Sequence, residues 1–151
     1  MKNNNMMREF KNYEEAMAAV KTQEAKGAKV RSVVFEHPEL KKIARLNCSV
    51  TITVPGTINV SKVTDNTQYV DRTIGKLSTI FGGASATKVK GGWMSDTEGL
   101  ILEHNVDVTA SCDEESLYNN VPQVLKICRE LRDELSQECI SLQINGERMF
   151  I

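Results

Sequence analysis

The chain has 151 residues, the size of one domain or of one domain with an appendage. Hydrophobic residues make up 40% of it and charged residues 26%, which is ordinary globular usage and excludes a disordered or collagen-like chain. A net charge of −1 and an aromatic content of 5% argue against a protein that coats nucleic acid directly. No apolar run approaches the length of a membrane span, so no membrane association is expected.

The first ten residues are rich in Asn and charge and lack the apolar stretch of a signal peptide, which predicts a cytoplasmic protein. The four cysteines are scattered, without Cys-x-x-Cys spacing, and the chain has only two histidines, so neither a metal site nor any other cofactor is expected. A reducing compartment argues against disulfides as well. These cysteines are Cys48, Cys112, Cys128 and Cys139.

Residues 1–47 read as an N-terminal α-β extension. The segment Asn12–Glu15 has the pattern of a capping box, which predicts the start of a helix that Gly27 then ends. Val30, Val33, Val34 and Phe35 form a β-branched and aromatic run typical of a strand. Pro38 favours a short helical turn after it.

Residues 48–151 carry sharper signals. Apolar and polar residues alternate strictly over 48–54, which predicts a strand with one buried face that ends at Pro55-Gly56. A helix is predicted over 70–81, with a cap in 65–68 and a stop at Gly82-Gly83. Residues 84–89 are a weak strand, and the glycines and small polar residues of 91–99 predict a turn-rich connection.

A long strand over 100–109 follows, and Asp113 then caps the most amphipathic helix of the chain. Pro122 marks either a kink in that helix or a second start. A strand over 140–144 and the hairpin dipeptide Asn145-Gly146 close the chain with a terminal hairpin arm. The order β-α-β-β-α-β predicts a ferredoxin-like α+β domain over 48–151, with both helices on one sheet face and the other face free for solvent, a second copy or the N-terminal extension.

No Lys or Arg lies between Gly91 and Leu125. This cation-free stretch could hold a basic partner, and the single tryptophan beside it could be a contact residue or a core residue. The plainer interpretation makes these acids a solvated face and helix N-terminal charges. The candidate contact residues are Trp93, Asp96, Glu98, Glu103, Asp107, Asp113, Glu114 and Glu115.

No catalytic constellation stands out in the sequence. His104 falls on the apolar face of its predicted strand and is expected to be a hydrogen-bonded core residue, while Glu103 points the opposite way and cannot pair with it. Cys112 precedes a helix, where a thiol can be activated, but no base accompanies it in sequence. We therefore expect no catalytic residues.

Residues 48–151 resemble a widespread group of small bacterial, phage and plasmid proteins. The resemblance rests on Phe81-Gly82-Gly83-Ala84, Gly92-Trp93, Glu98-Gly99, Glu103 and Gln137-Glu138. It departs from the group's pattern at the tryptophan, which here directly follows a double glycine. The resemblance implies a small cytosolic α+β domain from a phage or other mobile element and assigns no reaction.

Two functions from different classes are compatible with these features. The first is a non-enzymatic binding protein of a phage or mobile element that lays its acidic surface against the basic groove of a protein partner, for example an inhibitor of a host defence system such as an anti-CRISPR. The second is a small-ligand (nucleotide) binding protein or small enzyme with a pocket near Trp93, Glu103 and His104. A homodimer through the free sheet face is a further expectation.

Overall fold

The computed structural model describes residues 11–27 and 32–151, and by its contacts the chain divides into two compact units after Arg45. In the first unit, helix α1 (Tyr13–Ala25) begins as predicted, because the Asn12 side chain accepts a hydrogen bond from the Glu15 amide at 2.9 Å. A 3-10 helix (Val33–Glu36) and the short helix α2 (Pro38–Lys41) follow.

The strand predicted over 30–35 is wrong for its described part. Val33, Val34 and Phe35 lie in the 3-10 helix, and Val30 lies outside the described residues. A strand needs a neighbour to pair its backbone groups, and the described residues of this unit hold no other strand. The short helical turn predicted after Pro38 is confirmed.

The second unit is built on a five-stranded sheet. Its strands are β1 (Cys48–Val54), β4 (Ser85–Ser95), β5 (Gly99–Cys112), β6 (Ser141–Ile144) and β7 (Glu147–Phe150). They lie in the order β4-β5-β1-β6-β7, and every neighbouring pair is antiparallel. The mixed α+β class is therefore confirmed.

Two long helices cover one face of this sheet. Helix α3 (Thr67–Phe81) packs against β5, and helix α4 (Glu114–Glu134) packs against β1. Between them and the sheet lie side chains at alternate strand positions, such as Val50, Ile52 and Val108, each with no exposed area. The opposite face carries polar pairs, among them Thr51 with Thr109 (Oγ1–Oγ1 2.8 Å).

The predicted start of α4 and the predicted end of α3 are confirmed, and at the start of α3 one residue of the predicted cap has a different role. Asp113 caps α4 by accepting from the Ser116 amide at 2.8 Å, and Gly82 ends α3 with φ +89°. At the start of α3, the carboxylate of Asp65 accepts from both the amide and the hydroxyl of Thr67. Asn66 instead donates its side-chain amide to the Pro55 carbonyl at 3.0 Å and so ties the helix start to the end of β1.

Two features of this unit differ from the sequence-based expectation. The turn-rich connection predicted over 91–99 is wrong for most of its length, because β4 continues through Gly91 and Gly92 to Ser95 and only Asp96–Glu98 form the turn. A small hairpin of β2 (Thr57–Ile58) and β3 (Lys62–Val63) also lies between β1 and α3, where no strands were expected. Pro122 lies inside a single continuous α4.

None of the helices in the described part of the chain is long and apolar enough to cross a membrane.

Candidate ligand-binding site

A cavity of about 370 Å³ lies between the β2–β3 hairpin and the end of the β4–β5 hairpin. Its walls are formed by Trp93 of β4, by Glu103 and Ile101 of β5, and by Thr57 and Val60 of the small hairpin. A volume of this size falls within the range of small-molecule sites, which usually combine apolar walls with a few fixed polar groups.

Glu103 is held in place by two side-chain donors. The Trp93 indole N–H donates to Oε1 of Glu103 at 3.1 Å, and the Asn105 amide donates to Oε2 at 3.4 Å. The strand register explains the first contact, since Trp93 pairs with Ile101 and Gly91 with Glu103, so the indole and the carboxylate share one face of the sheet. The Trp93 residue remains 45% exposed.

Asn105 connects this carboxylate to the turn after β1. Its Oδ1 accepts from the Gly56 amide at 3.0 Å, an arrangement that leaves its amide nitrogen to face Glu103. Gly56 lies so close to β5 that a Cβ atom built there would overlap the backbone oxygen of His104. Only glycine therefore lets this turn lie directly on the strand that carries the site.

The small hairpin forms one wall of the cavity and is tied to the end of α4. The Gln137 amide donates to the Thr57 carbonyl at 2.8 Å, and the Asn59 amide donates to the Leu135 carbonyl at 3.0 Å. At the tip of the hairpin, Val60 has φ +68°, a conformation that a β-branched residue adopts only under strain. The surrounding contacts thus hold a strained residue against the cavity.

The charge in the cavity is negative. Glu98 and Glu103 both line it, whereas none of its lining residues is Lys or Arg. Among the described ion pairs, neither of these carboxylates has a partner. An open carboxylate beside an aromatic ring favours a ligand that carries a flat ring together with hydroxyls or a positive charge.

The predicted contact residues fall in three places instead of one surface. Trp93, Asp96, Glu98 and Glu103 lie near the β4–β5 turn, and Asp107 lies midway along β5, where it accepts from the Thr53 hydroxyl at 2.7 Å. Asp113, Glu114 and Glu115 lie at the start of α4, beyond the other end of β5. At about 3.3 Å per residue, that strand separates the two terminal groups by roughly 40 Å. Whether any of these acids contacts a protein partner stays a prediction, as does a homodimer through the sheet face opposite the helices.

His104 is not the core residue that the sequence predicts. It lies on the same sheet face as Val108, but its side chain is exposed and does not line the cavity. The expectation fails because the helices cover only the second half of β5. Glu103 points away from His104, as predicted, and shares its face of the sheet with Asp107.

The two cysteines whose pKa is shifted, Cys112 and Cys128, are not activated thiols, because both pKa values are raised. Burial raises the pKa of Cys112, as do the neighbouring Cys48 and Asp113, and burial raises the pKa of Cys128 to about 12. Within the described residues, no three His, Cys, Asp or Glu side chains come together in a way that could hold a metal ion.

A larger cavity, of about 630 Å³, lies in the first unit between α1 and the 3-10 helix. Its polar groups are engaged elsewhere: His37 Nδ1 accepts from the Glu39 amide at 3.3 Å, and Glu36 forms an ion pair with Lys41 at 3.1 Å. We favour the cavity beside Trp93 as the ligand site, because there two side-chain donors meet on one carboxylate, that of Glu103.

Several residues of the site are not apparent from the sequence. Gly56, Thr57, Asn105 and Gln137 act through contacts between residues far apart in the chain. The only local signals were Pro55-Gly56 at a strand end and Gln137 in the resemblance pattern.

Two solved structures of a phage SAM lyase share this fold. The structure in complex with S-methyl-5′-thioadenosine is 20% identical, with a TM-score of 0.55 over 73% of this chain and 92% of that chain. The structure in the apo state is 23% identical, with a TM-score of 0.52 over 72% of this chain and 94% of that chain. No protein-family model and no curated protein matches the chain.

The prediction of a non-enzymatic inhibitor that acts on a basic protein partner is wrong. The proteins that share this fold are an enzyme and its complex with a small molecule, which favours the second of the two functions considered from the sequence. That alternative placed a pocket near Trp93, Glu103 and His104; the cavity includes the first two of these residues and not the third.

Proposed function

We propose that this chain is an enzyme that binds S-adenosylmethionine (SAM) in the cavity beside Trp93 and cleaves it to S-methyl-5′-thioadenosine. The observation that carries the proposal is the carboxylate of Glu103, held beside the half-exposed Trp93 in a cavity without basic lining. The shared fold with a SAM lyase supports the choice of ligand class.

The ligand chemistry matches the walls of the cavity. A purine ring can stack on the half-exposed Trp93, a contact that contributes roughly 1–3 kcal/mol per base in nucleic-acid complexes. The sulfonium of SAM is a cation, and a cavity lined by acids and without Lys or Arg does not repel it. A phosphorylated ligand would be repelled by the same acids.

The loss of positive charge on sulfur during the reaction restricts the role that Glu103 can have in catalysis. When the bond between sulfur and the amino-acid chain breaks, the sulfonium becomes a neutral thioether. A carboxylate beside the sulfur would therefore stabilise the substrate more than the transition state and would slow the reaction. Glu103 serves catalysis better by accepting hydrogen bonds from the ribose hydroxyls, whose charge does not change.

The proposed reaction needs no acid or base from the protein. The electron pair of the broken C–S bond stays on sulfur, and the resulting thioether leaves without a proton. The carbon that it leaves is attacked by the carboxylate oxygen of the same substrate molecule, which closes a lactone and consumes no water. Positioning the substrate in this folded conformation is then the main task of the site.

The binding step is tested with the full chain and S-methyl-5′-thioadenosine by isothermal titration. We expect saturable binding that weakens at least tenfold in Glu103→Gln and in Trp93→Leu. The matched control is Asp107→Asn, an acid on the same strand face that bonds to Thr53 outside the cavity, and its affinity should stay unchanged. Wild-type binding that neither cavity variant alters would contradict the assignment of the site.

The cleavage step is tested by incubating the chain with SAM and separating the products by chromatography. We expect S-methyl-5′-thioadenosine together with the lactone of the amino-acid fragment. Equal loss of affinity for SAM and for S-methyl-5′-thioadenosine in Glu103→Gln would support the ribose role, since both ligands contain the ribose. Tight binding without any product would leave a ligand-binding protein and refute the enzyme.

We also propose the finer fold description, a ferredoxin-like domain with added elements. The order β4-β5-β1-β6 of four adjacent strands, with α3 and α4 on one face, supports it. A phage origin with a role against host defence accords with the same reaction, because removing SAM would deprive host enzymes of a methyl donor. Measuring SAM levels in bacteria that express the chain tests this role, and unchanged levels would argue against it.

A further inference from the structure

Two buried cysteines lie directly opposite each other on neighbouring strands, outside the cavity beside Trp93. Cys48 is the first residue of β1, Cys112 is the last residue of β5, and the antiparallel register pairs them. Both are buried on the helix-covered face, with 7% and 3% of their surfaces exposed, and both are free thiols in this structure.

The two thiols are close enough to interact electrostatically. After burial, the nearby Cys48 is the next largest cause that raises the pKa of Cys112. Asn145 adds a contact from the β6–β7 turn, since its side-chain amide lies 3.6 Å from the Cys48 sulfur while its oxygen accepts from the Ser49 amide at 2.9 Å. Asn145 therefore contacts Cys48 from the β6 side of β1, and Cys112 lies on the other side of that strand.

We propose that Cys48 and Cys112 form an oxidative modification site, a dithiol that closes to a cross-strand disulfide when a small disulfide oxidant is present. Residues directly opposite in an antiparallel pair have Cα atoms about 4.5–5.5 Å apart. Disulfides span Cα separations of about 4.4–6.8 Å, so the bond needs only local adjustment. Neither remaining cysteine lies opposite another cysteine in the described strand pairs.

The chemistry is a two-electron thiol–disulfide exchange. One thiolate of the pair attacks the oxidant disulfide and releases one thiol, and the second thiolate then attacks the mixed disulfide and releases the other. The protein loses two protons and two electrons, which reduce the oxidant disulfide to two thiols. Because both cysteines are strand-terminal residues, opening of the strand ends suffices to expose them.

The bond would close a long loop that contains the β2–β3 hairpin, α3, β4 and nearly all of β5. Every residue of the cavity lies within that loop. Cross-linking restricts the unfolded chain, so the oxidised protein should unfold at a temperature roughly 10 °C higher than the reduced protein.

The test uses the full chain under native conditions with oxidised glutathione, followed by alkylation and mass spectrometry. We expect a loss of two hydrogens from the intact mass and a tryptic product that joins peptide 46–62 to peptide 91–126. The experiment is run in Cys139→Ser, because Cys139 is exposed and would form a glutathione adduct. In that background Cys128→Ser should still form the bond, and Cys112→Ser should not.

Four outcomes would overturn the proposal. All thiols could remain alkylatable after unfolding, the bond could join a pair other than Cys48 and Cys112, or the bond could form only in denaturant. A melting temperature lower in the oxidised protein than in the reduced one would likewise show that the native strands do not accommodate the bond. Each result is independent of whether the chain binds SAM.

Discussion

The two halves of strand β5 place residues in turn on the same two faces of the sheet, but they differ in burial. From Val106 to Cys112 the residues facing the helices are buried or nearly so, and Val108 has no exposed surface. From Gly99 to His104 the residues on that same face stand in solvent, and Leu102 is 54% exposed. The difference lies in α3 and α4, which cover one half and not the other.

An alternating pattern therefore reports which face a residue occupies and not whether anything covers that face. The covered half contributes stability, and the open half carries the cavity with Trp93 and Glu103. Exposed apolar residues beside a cavity are typical of a surface that serves binding. The predictions below compare the two halves, from the largest expected effect to the smallest.

Truncating one apolar side chain in each half of β5 should give the largest difference in the free energy of unfolding. Val108→Ala removes two fully buried methyl groups and should lower the free energy of unfolding by roughly 2 kcal/mol. Leu102→Ala removes more atoms from a half-exposed side chain and should cost less than about 0.5 kcal/mol. Denaturant unfolding measures the free energy of unfolding of both variants. Similar losses of this free energy would mean that the open half of β5 is covered in solution.

The boundary between the halves is tested at Gly56. Gly56→Ala places a Cβ against the His104 backbone oxygen and should cost roughly 2 kcal/mol, because the turn must move off β5. The control is Gly75→Ala in α3, where nothing lies within 4 Å of the new Cβ. Removing a helix-interior glycine should raise stability by about 1 kcal/mol. A harmless Gly56→Ala would show that this turn does not lie on the strand.

Strain in the open half is tested at Val60. Val60→Gly removes the Cβ that disfavours φ +68° and should raise the free energy of unfolding by about 1 kcal/mol. Val63→Gly, in the exposed strand β3 without a positive φ, serves as control and should lower stability slightly. If both variants lose stability alike, Val60 is not strained.

The start of the covering helix α3 should show a small pH dependence. The side chain and then the backbone amide of Thr67 donate to Asp65 and lower the pKa of its carboxyl below the ordinary value of 3.8. The charged form is thus favoured in the folded state, so its contribution is present above pH 4 and is lost as the pH falls through the lowered pKa. The stability difference between wild type and Asp65→Ala should shrink on acidification, and a constant difference down to pH 2 would contradict this role.

Much of the second unit could be predicted from local sequence because its signals are local. The alternation over 48–54, the stop at Gly82 and the turn at Asn145-Gly146 each depend on neighbouring residues. The continuation of β4 through Gly91 and Gly92 could not be predicted, since those residues favour turns and are held in the strand by pairing with Glu103 and Leu102.

The site was only partly predictable for the same reason. Trp93 and Glu103 stand out in the sequence as a lone tryptophan and an acid in a cation-free stretch. Their hydrogen bond depends on the register of β4 with β5, and Asn105 reaches Gly56 only after β1 and β5 pair. The predicted acidic surface failed to form one patch because β5 separates its members.

The most direct test of the ligand site is the indole N–H resonance of Trp93, the only tryptophan of the chain, in ¹H–¹⁵N spectra. Titration of the wild-type chain with S-methyl-5′-thioadenosine should shift this resonance in a saturable way, and the same titration of Glu103→Gln should give at most a tenth of the affinity. An indole resonance that does not move at millimolar ligand, or that moves equally in both proteins, would contradict the account.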